Sequence, residues 1–298
     1  MKRNQKFFPV FFVLVCMFFV TGCNENNSSD FELNRIIQFG MWPQTLCDVT
    51  ESELSLTGRT YDGNKEFSDK NGNRFVKVDS ASVYGTGYTF SDGSPCEREK
   101  TYWFRVEPIS WRVIAIKGRN GKMILSEKIL TAAIPYCNTR NVRSIDAATV
   151  WPNNYKYSNI RSYLNEDFYQ KAFSEEEQLK INEVLVKNGE DTTSSRINKF
   201  ACDDTRDSIF LLSYQDLCNA DFGFKSDADR VKHPSDYALV NNAYRSAKEG
   251  QGGWWWLRSP YGGVSYYAKT VWSGGNLDYK DYIDNLSMGL VPALVMEK

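Results

Sequence analysis

Two stiff, apolar blocks near the C-terminus constrain the fold more than any other part of the sequence. Residues 254–260 (WWWLRSP) and 290–295 (LVPALV) have the composition of buried β-strands. The stretch between them, 261–287, is rich in Tyr, Ser, Asn and Asp, as binding loops are, because Tyr and Trp offer large contact area at low entropic cost. The alternative is an ordinary antiparallel hairpin with tyrosines on its solvent face, since these residues also favour strands. The candidate ligand-binding residues are Tyr261, Tyr266, Tyr267, Trp272, Asn276, Asp278, Tyr279, Asp281, Tyr282 and Asn285.

The N-terminus predicts export and lipid anchoring. Lys2, Arg3 and Lys6 precede an apolar run, 7–20, which is too short for a comfortable membrane span and ends at the small residues before Cys23. The tetrapeptide VTGC resembles the lipobox of bacterial lipoproteins, which implies removal of a signal peptide, 1–22, and diacylation of Cys23. The alternative is an uncleaved anchor helix. Either reading places the domain outside the cytoplasm and tethers it to a membrane. The expected location of the lipid-anchored chain is the cell envelope, at the outer membrane or the cell surface.

The rest of the chain is predicted to be one domain that follows a short flexible tether. Residues 23–33 are polar and form a flexible tether, and 34–298 contain no Pro/Gly/Ser linker that would force a division. A formal net charge of -1 argues against nucleic acid or an anionic lipid surface as a partner, because both require a basic face. A protein or a glycan outside the cell remains as the partner.

Cysteine usage is compatible with an exported protein but leaves the pairing open. Cys47, Cys96, Cys137, Cys202 and Cys218 follow the lipidated residue, and the odd number leaves at least one of them free or paired between molecules. A disulfide between Cys202 and Cys218 is the first expectation, and one between Cys47 and Cys96 is the second.

No metal or cofactor is expected. No two cysteines stand at CxxC spacing, and the chain has a single histidine, His233, so a zinc site is not predicted. Asp69, Asn71 and Asn73 alternate as the opening of a calcium loop does. Their glycine comes too early, however, and no bidentate Glu follows at the required place.

Short strands and a few helices predict an α+β domain of antiparallel sheets. The strands are expected at 36–39, 74–78, 102–106, 111–116, 123–126, 209–212, 254–258, 266–272, 277–283 and 290–296. Of these, 102–106, 111–116 and 123–126 should form a meander, and the last four should form a C-terminal sheet. The helices are expected at 160–173, at 175–186 behind a capping box that starts at Ser174, and from Ser213 to 219.

Seven motifs in a fixed order resemble an uncharacterised bacterial domain family of secreted and lipid-anchored proteins, found especially in treponemes. The motifs are 111–114 (WRVI), 124–130 (ILSEKIL), 157–165 (YSNIRSYLN), 172–177 (AFSEEE), 209–213 (IFLLS), 255–260 (WWLRSP) and 291–294 (VPAL). The resemblance implies a C-type-lectin-like fold of the formylglycine-generating-enzyme type. It also implies kinship with a treponemal surface lipoprotein whose C-terminal region is diversified by a retroelement.

The residues argue against the chemistry of those relatives. Formylglycine-generating enzymes hold copper with a Cys pair in the C-terminal part of the domain, whereas this chain has no Cys after Cys218. The calcium-dependent sugar motifs of lectins are broken at 107–109 (EPI) and 272–274 (WSG). His233 lies in a charged loop, and Ser259 lacks the flanking glycines of a nucleophile elbow. We therefore expect no enzymatic activity.

Residues 254–258 are expected to be mainly scaffold. Neighbours on a strand point to opposite faces, so Trp254 and Trp256 should share one face and Trp255 should take the other. Arg258 either neutralises a buried carboxylate or meets an anionic group of a ligand.

The sequence predicts a surface lipoprotein that binds a protein ligand through 261–287. A calcium-independent, glycan-binding lectin is the alternative, an enzyme of unknown reaction is the third possibility, and a purely structural envelope protein would lack an exposed aromatic patch.

Overall fold

The computed structural model describes residues 33–117, 121–195 and 197–297. Cys23, the predicted signal peptide and all but the last residue of the predicted tether lie outside the described residues. Within this part of the chain, no helix has the length and apolarity needed to cross a membrane.

The described chain is mixed, with many short strands and few helices, which confirms the α+β prediction. The strands are β1 (Ile36–Cys47), β2 (Ser55–Tyr61), β3 (Asn64–Ser68), β4 (Arg74–Val78), β5 (Tyr88–Thr89), β6 (Pro95–Cys96), β7 (Tyr102–Lys117), β8 (Gly121–Ser126), β9 (Lys128–Ile129), β10 (Arg143–Ile145), β11 (Ala148–Val150), β12 (Ile181–Asn182), β13 (Val184–Val186), β14 (Thr205–Asp207), β15 (Ile209–Phe210), β16 (His233–Pro234), β17 (Trp255–Pro260), β18 (Tyr267–Val271), β19 (Lys280–Tyr282) and β20 (Ala293–Glu297).

The helices are short. They are α1 (Asn159–Tyr163), α2 (Tyr169–Ala172), α3 (Glu175–Gln178), α4 (Tyr214–Leu217) and α5 (Asp236–Val240), and a π-helical turn, Leu164–Phe168, joins α1 to α2. Single 3-10 turns occur at Glu51–Glu53, Tyr155–Tyr157, Glu190–Thr192, Ala220–Phe222 and Asp227–Arg230.

Nine strands form the main sheet, in the order β12-β20-β8-β7-β4-β3-β2, with β1 paired to β7 and β15 paired to β20. Every pairing in this sheet is antiparallel. A separate three-stranded sheet, β17-β18-β19, carries the C-terminal Tyr-rich stretch. Strands β9 and β16 form a short parallel pair, and the pairs β5-β6, β10-β11 and β13-β14 complete the described sheets.

The segments predicted as two separate strands, 102–106 and 111–116, form the single strand β7. Pro108 lies between the two predicted segments, and proline cannot donate to a sheet ladder. In the structure Pro108 lies opposite Met41, next to a bulge in β1 where the ladder is locally interrupted, and the strand continues through it. The predicted three-stranded meander is therefore a two-stranded hairpin of β7 and β8.

The helix predicted at 175–186 ends at Gln178. Its capping box is confirmed, since Ser174 accepts from the Glu177 amide and the Glu177 carboxylate accepts from the Ser174 amide. Beyond Gln178 the chain becomes strands β12 and β13, in which Ile181 pairs with Met296 and Val184 with Asp207. Long-range pairing of these β-branched residues overrides the local helical pattern.

The last predicted strand, 290–296, does not close the C-terminal sheet. Strand β20 lies in the main sheet between β8 and the two short strands β12 and β15. The two sheets meet at Gly289, whose amide donates to Trp254 O and whose carbonyl accepts from Trp256 N. A side chain at position 289 would collide with Ile129, since a Cβ there would lie 2.3 Å from its Cγ2.

Strand alternation divides the interior into two apolar cores. On β8, Ile124 belongs to the larger core whereas Leu125 belongs to the smaller one. At the start of β17, Trp256 and the preceding residue Trp254 enter the larger core and Trp255 enters the smaller one, as predicted. All three indoles are buried, so the tryptophan triplet is scaffold.

Candidate functional site

The C-terminal sheet presents its aromatic side chains at the two ends of the β18-β19 ladder. Tyr267 begins β18 and lies opposite Tyr282, the last residue of β19. Trp272 follows β18 directly, and Tyr279 precedes β19. Five strand steps separate Tyr267 from Trp272, which is roughly 17 Å. Rigid backbone therefore holds two aromatic groups at a fixed spacing.

One group is a cluster of four tyrosines, Tyr261, Tyr266, Tyr267 and Tyr282, here called the tyrosine cluster. The rings of Tyr266 and Tyr282 are nearly parallel, with centroids 6.1 Å apart, and Tyr267 lies 4.6 Å from Tyr282. Tyr261 meets Tyr267 edge to face at 6.1 Å. Tyr266 and Tyr282 remain 37% and 40% exposed, so the cluster presents aromatic surface to solvent although its rings contact one another.

A cation fixes one side of the tyrosine cluster. The Arg140 guanidinium lies 4.1 Å from the centre of the Tyr282 ring and donates two hydrogen bonds, of 2.8 and 2.7 Å, to the Asp284 carboxylate. A hydrogen bond to the Tyr282 hydroxyl raises the pKa of Tyr267, so this phenol is neutral at physiological pH. The cluster therefore offers aromatic surface and hydroxyl groups with its charges already paired.

The second group, here called the tryptophan column, is a stack of four rings with a fifth at its side. Tyr244 lies on Trp254 with centroids 3.6 Å apart, Trp254 on Trp272 at 4.2 Å, and Trp272 on Tyr279 at 4.4 Å. Tyr84 packs edge to face against Tyr244 and Trp254. Trp272 covers one face of the Tyr279 ring, and because Tyr279 is 42% exposed, its other face is open to solvent.

None of the ten predicted ligand-binding residues is fully buried. Tyr266, Asp278, Tyr279 and Tyr282 are exposed, and the other six are half-buried. The side-chain oxygens of Asn276, Asp281 and Asn285 accept hydrogen bonds from the nearby amides of Asp278, Tyr282 and Ser287, respectively. These three residues therefore shape the turns that hold the aromatic rings.

The structure adds three residues that sequence reasoning missed, Tyr84, Arg140 and Tyr244. Each comes from a loop outside 261–287 and reaches the site only through the tertiary fold. No local pattern marks them, because tyrosine and arginine in a polar loop are ordinary surface residues.

Arg258 neutralises a carboxylate, as in the first of its two predicted roles, but that carboxylate is half-buried, with its side chain 25% exposed. The Arg258 side chain is 6% exposed, and it donates to Asp216 Oδ2 at 2.6 Å and to the carbonyl oxygens of Leu211 and Lys187. Burial alone would raise the pKa of Asp216, but the Arg258 charge and hydrogen bonds from Ser213 outweigh it and hold that pKa below its usual range. The Asp216 carboxylate also caps α4 through the Ser213 amide.

The predicted disulfides are wrong, because Cys47, Cys96, Cys137, Cys202 and Cys218 are all free thiols. Cys202 packs against the larger core, whereas Cys218 is exposed at the C-terminal end of α4. Burial raises the pKa of Cys47 to about 11 and that of Cys96 to about 12. Both thiols are therefore protonated and unreactive at neutral pH.

Within the described ranges no group of three or more His, Cys, Asp or Glu side chains is arranged to hold an ion. The Asp69 carboxylate instead closes its own turn by accepting from the amides of Asn71 and Asn73 at 2.8 and 2.9 Å. His233 is exposed at the surface.

Comparison with known proteins identifies the family but not an activity. The chain belongs to the family described as a domain of unknown function, DUF6273, which matches residues 120–298. Neither a curated protein nor a solved structure matches the chain. The tyrosine cluster lies inside the family match, and so does the tryptophan column apart from Tyr84.

Proposed function

We propose that the protein is a ligand-binding module of the cell envelope, which contacts another protein through the tyrosine cluster and the tryptophan column. The observation that carries the proposal is the exposure of Tyr266, Tyr279 and Tyr282, at 37%, 42% and 40%, on a sheet whose neighbouring strands are buried. Exposed tyrosines on a rigid scaffold are the usual anchors of protein interfaces.

The spacing and the charges favour a protein over a small ligand. Two aromatic groups roughly 17 Å apart fit an interface of about 800 Å² per partner, which is typical of specific complexes. Exposed Lys280 lies between Tyr279 and Tyr282, and exposed Asp278 lies next to Tyr279, so both can supply the polar rim of such an interface.

A glycan is the second candidate ligand. The open face of the Tyr279 ring, held flat by Trp272 beneath it, suits the stacking of a sugar ring. This mode would need no calcium.

The fold and the location complete the proposal. The ordered motifs support a C-type-lectin-like fold of the formylglycine-generating-enzyme type and kinship with treponemal surface lipoproteins. The VTGC tetrapeptide supports lipid attachment at Cys23, at the outer membrane or the cell surface. Diversification of 261–287 by a retroelement is part of the same proposal. A template repeat and a reverse transcriptase gene near the coding sequence would support it, and their absence would leave a fixed binding surface.

The experiment replaces exposed tyrosines and compares the result with a matched control. The test variant carries Tyr266→Ser, Tyr279→Ser and Tyr282→Ser. The control carries Leu56→Ser, Leu179→Ser and Ile197→Ser, which are exposed apolar residues outside the site. Proteins retained by the wild type from an extracellular extract are identified, purified and titrated against all three forms.

We expect the dissociation constant to rise by at least about 30-fold for the tyrosine variant, because loss of one hot-spot residue alone costs about 2 kcal/mol or more. The control should bind as the wild type does. Equal affinity of the two variants would refute the proposal. A glycan array probed with the wild type and with the tyrosine variant tests the second candidate, a glycan ligand. If no glycan binds the wild type better than the variant, a glycan is excluded as the ligand of this site.

A further inference from the structure

A groove on the main sheet combines an apolar floor with a buried arginine. Its volume is about 290 Å³. Met123 and Val295 are paired neighbours on β8 and β20 and form part of the floor. Phe210 extends it, because it pairs with Ala293, two residues from Val295 and so on the same face of the sheet. Strand β13 contributes one wall, including Val184.

The groove is lined by three cations, Lys117, Lys187 and Arg258. Arg258 is paired with Asp216 and Lys187 with Asp204, whereas Lys117 has no carboxylate within ion-pair distance among the described residues, so Lys117 supplies the uncompensated positive charge. Arg258 is 6% exposed, and its hydrogen bonds to Asp216, Leu211 and Lys187 engage Nε and Nη1. The guanidinium is therefore fixed in place, and Nη2 takes no part in those bonds. A preorganised arginine at the edge of an apolar surface suits a carboxylate.

We infer that this groove binds a small amphiphilic carboxylate, with its aliphatic chain on the floor and its carboxylate toward Arg258 and Lys117. Water occupies about 30 Å³ per molecule in the liquid, so the groove has room for a ligand of about ten heavy atoms. Octanoate has that size. A folded protein partner or a long peptide is too large to be accommodated.

This binding is independent of the proposed function. Strands β8, β13, β15 and β20 build most of the groove, whereas the tyrosine cluster and the tryptophan column belong to the C-terminal sheet and neighbouring loops. The variant with serine at positions 266, 279 and 282 should therefore bind octanoate as the wild type does, which separates failure of one proposal from failure of the other.

The test is a calorimetric titration of the protein with octanoate, octanol and propionate. We expect saturable, one-to-one binding of octanoate and at least tenfold weaker binding of octanol and of propionate. Val184→Trp fills the groove and should abolish binding. Lys117→Glu should weaken octanoate binding severalfold without changing octanol binding, whereas Lys65→Glu, an exposed charge reversal on β3, should change neither.

A measurement on the wild type guards against a variant that fails to fold. Nuclear Overhauser contacts between the octanoate methylenes and the Met123 methyl group should appear. Absence of saturable octanoate binding, absence of these contacts, or unchanged affinity in folded Val184→Trp would each overturn the inference.

Discussion

Replacing Arg258 with methionine should be among the most destabilising single changes in this chain. The side chain is 6% exposed and donates to Asp216, whose own side chain is 25% exposed, and to two main-chain carbonyls. Methionine retains much of the apolar stem but removes every donor. Asp216 would then keep its burial without its compensating charge.

The size of the effect follows from that geometry. Removing one partner of a fully buried ion pair costs about 3–5 kcal/mol, because the remaining charge is left uncompensated. The Asp216 side chain is 25% exposed, so water screens part of its charge and the expected loss is about 2–4 kcal/mol. In the wild type the pKa of Asp216 lies below its usual value, so its contribution to stability is present at neutral pH and is lost as the pH falls through that lowered pKa. In the variant, burial raises the pKa of Asp216. The destabilisation should therefore be greatest near pH 7 and smaller at pH 4.

Urea unfolding followed by tryptophan fluorescence, at pH 7 and at pH 4, measures the loss in the free energy of unfolding and its dependence on pH. The double variant Arg258→Met with Asp216→Asn keeps an acceptor for the Ser213 amide but removes the stranded charge. It should recover about 1–2 kcal/mol relative to Arg258→Met. A loss below about 1 kcal/mol at pH 7, or one that grows as the pH falls, would refute the assignment of Arg258 as the counter-charge of Asp216.

Two sets of substitutions and one labelling experiment test other parts of the scaffold. Gly275→Ala should lower the free energy of unfolding in urea by at least about 2 kcal/mol more than Gly58→Ala does. Both glycines have φ above +80°, but only at Gly275 would a Cβ collide with the backbone, 1.7 Å from Asp227 O. Equal losses of stability would contradict this close approach. Ser174→Ala should cost about 1 kcal/mol through loss of its cap and Ser174→Thr should cost less, which thermal unfolding can compare. Alkylation of the native protein followed by mass spectrometry should label exposed Cys218 before buried Cys96, and a disulfide-linked peptide would contradict the free thiols.

Local chemistry made much of the scaffold predictable. The capping boxes at Ser174 and Ser213, the helical run that begins at Asn159, and the opposite faces of Trp254 and Trp255 all depend on neighbours within a few residues. The wrong predictions of secondary structure arose where pairing with a distant strand determines the conformation. Ile181 is a strand residue because it pairs with Met296, more than a hundred positions away, and no local pattern contains that information.

The candidate site divides in the same way. The exposed tyrosines lie within one Tyr-rich stretch, so composition alone could point to them. Tyr244 and Tyr84 complete the tryptophan column from distant loops, and Arg140 reaches Tyr282 across the fold. The groove lined by Arg258 could not be predicted from the sequence either, because it is formed by segments that are far apart in the chain.

Site-specific photo-crosslinking on the intact cell tests the central claim most directly. A benzoylphenylalanine is introduced at Tyr279 or Tyr266, and at Leu56 as an exposed control on β2. Our account predicts discrete protein adducts from positions 279 and 266 and none from position 56. Adducts that form equally at position 56, or none at either tyrosine position, would contradict the assignment of this aromatic surface as the binding site.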